Sequence, residues 1–146
     1  MAGMLLVAVR RAVADGLANL PELADVHVSY GWDAGVSGSQ IFTGNARATT
    51  DPSGLRAGRN VRDEDAEFDL VVNVAAEGKS LQESDEQAAE YGRAVEEFVS
   101  DRKSNQLGVP GLQWIRIESW EMRSGQADYG SASQIVYRVR YRGRVE

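Results

Sequence analysis

The sequence contains no cysteine and a single histidine, His27, among its 146 residues. Without thiolates there is no disulfide framework and no sulfur-ligated metal site. One imidazole leaves one candidate base and removes most zinc constellations. No run of about 18 apolar residues is present to span a bilayer as a helix. The apolar opening Met1–Val9 is short, and its basic residues, Arg10 and Arg11, come after it rather than before, the reverse of a secretory leader. The expectation is a soluble, intracellular product. Proline is scarce, three against fifteen glycines, which favours tight turns and loops over stiff linkers. Positive charge is also in deficit: the net charge is −6 and the pI is near 4.9. Non-specific nucleic-acid binding needs a cationic surface, so a DNA-binding domain is disfavoured.

What is present suits one domain over 1–146, long enough to remove ~68–70% of its unfolded surface from water. The segment Ser80–Lys103 carries the strongest periodic signal. Ser80-Leu81-Gln82-Glu83 and Ser84-Asp85-Glu86-Gln87 are two overlapping capping boxes. Apolar or small residues recur at Ala88, Tyr91, Ala94, Val95, Phe98 and Val99 in steps of three and four. Acidic residues lead the helix and Arg102 and Lys103 close it, as the helix dipole favours. A shorter helix is expected over 4–18, with Leu5, Leu6, Val9, Val13 and Leu17 on one face and Pro21 ending it.

Strands are expected where apolar residues alternate. Val26, Val28 and Tyr30 form one, and about 39–47 another, the two joined through the loop 31–38 as a hairpin. Residues 67–74 are the cleanest strand of the first half, with Phe68, Leu70, Val72 and Val74 on one side. Residues 114–122 and 134–142 make a closing hairpin. From Ala48 to Asp65 the apolar signal disappears, which predicts a long loop; such loops are usually functional or disordered. The order, helix, two strands, loop, strand, helix, two strands, predicts an α+β domain, a mainly antiparallel sheet with two helices packed on one face and long interaction loops.

The chemistry-bearing residues form no catalytic constellation. His27 sits in an alternating strand with no acid or nucleophile in its motif and reads as a solvent-facing histidine. Asp63, Glu64, Asp65, Glu67 and Asp69 lack the spacing of a calcium loop and read as a solvated loop edge. Gly35–Ser39 matches no phosphate-binding motif. Trp114 and Trp120 are an even number of residues apart, which places them on one sheet face with Arg116, Glu118 and Met122. The most informative row is Arg138, Arg140 and Arg142: period-two spacing puts three guanidinium groups on one face, roughly 6–7 Å apart along the strand. Three like charges that close need screening. It comes either from carboxylates such as Glu118 or Glu121 on the neighbouring strand or from a subunit or anionic partner. A charged final strand also discourages edge pairing.

Beyond these patterns, the element order and the phrases Val28-Ser29-Tyr30-Gly31-Trp32, Gln40-Ile41-Phe42-Thr43-Gly44 and Ala57-Gly58-Arg59-Asn60-Val61-Arg62-Asp63-Glu64 carry a resemblance. Followed by Gly78, an acid-led helix and a closing hairpin, they make the chain similar to the tail terminator proteins of long-tailed, siphovirus-type bacteriophages infecting actinobacteria. The resemblance implies a structural virion protein of the tail and neck, assembled in the host cytoplasm, with no enzymatic activity, cofactor, metal or membrane contact. It implies a homo-hexameric ring at the head-proximal end of the tail tube, ending tube polymerisation and joining the tail to the head connector. The implied partners are further copies of the chain, the tail tube protein and a head–tail connector or stopper protein, with genomic DNA crossing the ring without sequence-specific binding. In that setting Arg138, Arg140 and Arg142 are the candidate subunit or channel interface, and Arg56, Arg59 and Arg62 belong to a candidate partner-contact loop. Two nearby alternatives are a head–tail adaptor or stopper and a tail-tube-like neck protein; a small ligand-binding domain or hydrolase around His27 is the alternative of another class.

Overall fold

Alternation along residues 62–77 organises the molecule. Glu64, Ala66, Phe68, Leu70, Val72 and Val74 are buried, while Asp63, Asp65, Glu67, Asp69 and Asn73 between them are partly exposed. In the computed structural model, which describes residues 4–36, 38–51, 62–100, 106–127 and 130–145, this segment is the middle of a five-stranded sheet. The elements run α1 (Leu6–Ala18), β1 (His27–Ser29), β2 (Gln40–Asp51), β3 (Arg62–Glu77), α2 (Leu81–Ser100), β4 (Leu112–Ala127) and β5 (Gly130–Val145). The strand order is β1-β2-β3-β5-β4, antiparallel except for β1 against β2. The domain is α+β, as the element order predicts.

Both helices contribute to one core on one side of the sheet. Val9, Val13 and Leu17 of α1 and Ala88, Tyr91, Val95 and Val99 of α2 join Phe68, Leu70, Val72, Ile135, Tyr137, Val139 and Tyr141 in a single buried cluster. Two helical glycines make the close approaches possible. A Cβ at Gly16 would lie 2.3 Å from the Phe98 ring, and one at Gly92 would lie 2.3 Å from the Tyr137 hydroxyl. The first capping box forms as read: the Glu83 N–H donates to Ser80 Oγ and the Ser80 N–H to Glu83 Oε1, both at 3.2 Å. The second does not cap. Ser84 lies inside α2, buried, and bonds to the Leu81 carbonyl at 3.0 Å and to Ser133 Oγ of β5 at 2.7 Å. It fastens the helix to the sheet instead. Helix α1 has no side-chain cap of its own. Buried Glu64 of β3 accepts the Leu5 N–H at 3.0 Å and the Tyr141 hydroxyl proton, a carboxylate at the positive end of the helix dipole.

Four expectations are corrected. The first two strands are not a hairpin: β1 pairs parallel with β2, His27 opposite Gln40. Because β1 is three residues long, the chain need travel back only about 10 Å at a rise of ~3.3 Å per residue. The loop expected over 48–65 is strand at both ends, since β2 runs to Asp51 and β3 begins at Arg62, and 52–61 lie outside the described residues. Asp63 and Asp65 there are held by ladder bonds and cross-strand ion pairs rather than by apolar burial. The final strand is no edge: β5 lies between β3 and β4. Finally, a register shift between Ile117 and Ser119 breaks the parity of the tryptophans. Trp114 pairs with Arg142 on the open face, whereas Trp120 pairs with Tyr137 on the helix side and is 63% exposed.

Candidate functional site

The face of the sheet away from the helices carries an ordered array of opposite charges. Register sets Asp63, Asp65, Glu67 and Asp69 of β3 opposite Arg144, Arg142, Arg140 and Arg138 of β5. The side chains also reach diagonally. Arg140 holds the centre, forking onto Asp65 through Nε and Nη2 at 2.8 Å each and reaching Glu118 of β4 through Nη1 at 3.0 Å. Arg142 lies 3.3 Å from Asp63 and 3.7 Å from Asp65, and Arg144 donates to Asp63 at 3.0 Å. Arg138 is looser, 4.0 Å from Glu67. On β4, Arg116 pairs with Glu118 at 3.2 Å and lies over the Trp114 ring, 4.4 Å from its centroid.

This geometry sets the protonation states. The Arg144 and Arg142 guanidinium groups hold the Asp63 carboxyl below the usual range, and Arg140 does the same for Asp65. Glu118 is lowered by Arg116 and Arg140. Arg140 in turn is pushed further up by Asp65 and Glu118. The arginine row is therefore screened inside the subunit. Glu118, named above as a cross-strand partner, takes part; Glu121 instead pairs with Arg123 at 3.3 Å. Most of the screening comes from the acidic run on β3, which reads as a loop edge in the sequence although its period of two mirrors that of the arginines. Bidentate pairing of this kind fixes the side chains geometrically, and the near-matched signs leave little net field to grip a polyanion.

At the β1 end the loop folds onto the sheet. The Gln40 side chain, fully buried, accepts the Asp33 N–H at 3.1 Å and donates to the Asp33 carbonyl at 3.2 Å. Trp32 meets Phe42 edge-on at 5.3 Å. His27 is exposed, as expected, with Nε2 3.3 Å from Asp33 Oδ2. On the helix side, a groove of about 480 Å³ opens between α1 and β1, lined by Val7, Arg11, Asp15, Val28, Ser29 and Tyr30 among others. Arg10 closes one flank, donating to Thr43 Oγ1 at 2.8 Å with its guanidinium 4.5 Å from the Tyr30 ring centroid. No sequence pattern announced this groove, because its walls come from separate elements.

Among the described residues there is no cluster of three or more His, Asp or Glu able to hold a metal, and no described helix is long and apolar enough to cross a membrane. Arg56 and Arg59 lie outside the described residues. Arg62 opens β3 opposite Val145. The structure thus brings Arg138, Arg140 and Arg142 together on one face.

No family model matches the chain. No curated protein matches it either. Among solved structures it is similar to a chain in the "virion of native gene transfer agent (GTA) particle", with a TM-score of 0.59 and 18% identity, covering 92% of this chain and 93% of that one. At that identity the likeness is one of fold, and it extends over nearly the full length of both.

Proposed function

We propose that the chain is a structural virion protein, not an enzyme, and that it forms a ring at the head-proximal end of a phage-type tail tube. There it ends tube polymerisation and meets the head connector. The observation that carries this reading is the near-complete overlap of the fold with a chain of a gene transfer agent virion. Chemistry supports it from the other side. The best-built polar array on the molecule is a set of matched ion pairs, a framework for holding a surface rather than for moving protons.

Within such a ring the open face, with Arg138, Arg140 and Arg142, lies against a neighbouring subunit or the channel. Internal pairing of the arginines suits a channel wall that DNA crosses without sticking, since no row of free cations grips the phosphates. The segment 52–61, with Arg56 and Arg59 and the adjoining Arg62, is the contact to tube or connector. The test is mass and shape of the purified protein, alone and mixed with tail-tube subunits, by light scattering and negative-stain microscopy. Rings, or closed tube ends that stop growing, are expected. A monomer indifferent to tubes overturns the reading. Replacing Arg138, Arg140 and Arg142 together by Gln should reduce particle yield while the subunit still folds. Shortening 52–61 should give a folded protein that no longer joins tails to heads.

A further inference from the structure

Trp120, at 63%, is the most exposed large hydrophobic residue among the described residues. The register shift after Ile117 turns it to the helix side, at the free edge of β4. A single exposed indole needs no explanation by itself, but a rigid, amphipathic side chain of this size is the kind that anchors an interface when a receptive pocket exists. A receptive site exists on the same chain, at the opposite edge. The groove between α1 and β1 is on the helix side too, since Val28 pairs with buried Ile41.

The two features share one row across the sheet. Trp120 is opposite Tyr137, Tyr137 opposite Leu70, and Leu70 opposite Thr43. Thr43 in turn donates its N–H to the carbonyl of Tyr30, which lines the groove. Knob and groove are thus four strand spacings apart, roughly 19 Å, with no large offset along the strands. They cannot meet within one subunit. Between copies placed side by side along this row they meet without a stagger. A contact between different patches on identical chains is heterologous; it closes into a ring where the rotation between successive copies closes and runs on as an open helix where it does not.

We propose that Trp120 of one copy seats in the α1–β1 groove of the next, making the subunit contact of the ring. This rests on the ring reading above and specifies its interface. The chemistry of the groove suits an indole. Val7 and Val28 offer apolar walls, Arg11 a cation for the ring face, and Asp15 an acceptor for the indole N–H, which needs one when buried. The groove volume of about 480 Å³ leaves room for the side chain together with its flanking backbone.

The experiment uses the full chain with two exposed positions changed separately, Trp120→Ala and Val7→Glu. Circular dichroism and a melting curve check that each folds. Sedimentation and mass photometry then follow assembly of wild type, each variant and their equimolar mixture, with tail-tube subunits added in parallel. Truncating a buried aromatic anchor weakens a contact on the order of tenfold or more, so each variant should shift from rings to monomers. The mixture should yield dimers and no rings, because the intact Trp120 of one variant can enter only the intact groove of the other. Rings of unchanged mass from either variant overturn the knob-in-groove contact and leave the ring function standing. A wild-type chain that stays monomeric at all concentrations and with tubes present overturns both.

Discussion

The two faces of β3 and β5 are built from the same residues taken alternately, yet they are held together by different forces. On the covered face, Phe68, Leu70, Val72, Val139 and Tyr141 are essentially dry, and burial of apolar area supplies the stabilisation. On the open face, Asp63, Asp65, Arg140 and Arg142 stay partly hydrated, where each ion pair contributes little but a matched array fixes side-chain positions. The covered face therefore decides whether the chain folds, and the open face decides what surface the folded chain presents.

The largest test of that division is Phe68→Ala. Phe68 is 1% exposed at the centre of the core, and the change should cost about 3–5 kcal/mol in a urea unfolding curve. Tyr141→Phe comes next. It removes the hydroxyl that satisfies buried Glu64, and leaving a buried acceptor short of a donor costs about 1–3 kcal/mol.

The pH profile separates the faces by direction. The carboxyls of Asp63, Asp65 and Glu118 are lowered below their ordinary values of 3.8, 3.8 and 4.5. Their contribution is present above those values and is lost as pH falls through the lower folded ones; Glu83, lowered by its capping bonds with Ser80, adds a share from α2, so the acid limb belongs mainly to the open face. Tyr137 and Tyr141 are raised above 10.0, chiefly by burial and further by Glu96 and Glu64. Their contribution is whole below pH 10 and declines above it, so the alkaline limb belongs to the covered face. Melting temperatures across pH 2–12 should show both limbs, with Tyr141→Phe flattening only the alkaline one. An acid limb equally weakened by that change would contradict the separation.

The smallest effect is expected at Arg138→Gln. Its pair with Glu67 is 4.0 Å long and exposed, so the unfolding midpoint should stay within error of wild type. The salt dependence of stability should decrease slightly, since exposed pairs are the screened ones. A large loss of stability would mean that the array is structural after all.

How much of this was legible in the chain follows the range of the forces. The α2 cap and its buried stripe, the alternation around Phe68 and the closing pair of strands rest on neighbours within a few residues. They appear in the structure close to where the pattern places them. The parallel return of β1, the extension of β2 and β3 through charged residues and the parity break at Ile117 depend on partners a dozen or more residues away. No local pattern contains them. The acidic run on β3 is the instructive case. Its residues and its period were visible, but without the register that lays it against β5 it looked like a solvated loop.

By itself, then, the sequence determined the fold class, the two helices, the core-facing residues and the common face of Arg138, Arg140 and Arg142, because periodicity maps directly onto faces of helices and strands. Only the tertiary structure decided what those arginines touch, that Trp114 and Trp120 look opposite ways, and that a groove opens between α1 and β1. Strand order, register and bulges bring together residues far apart in the chain, and the free energy that selects them is that of the whole packed sheet.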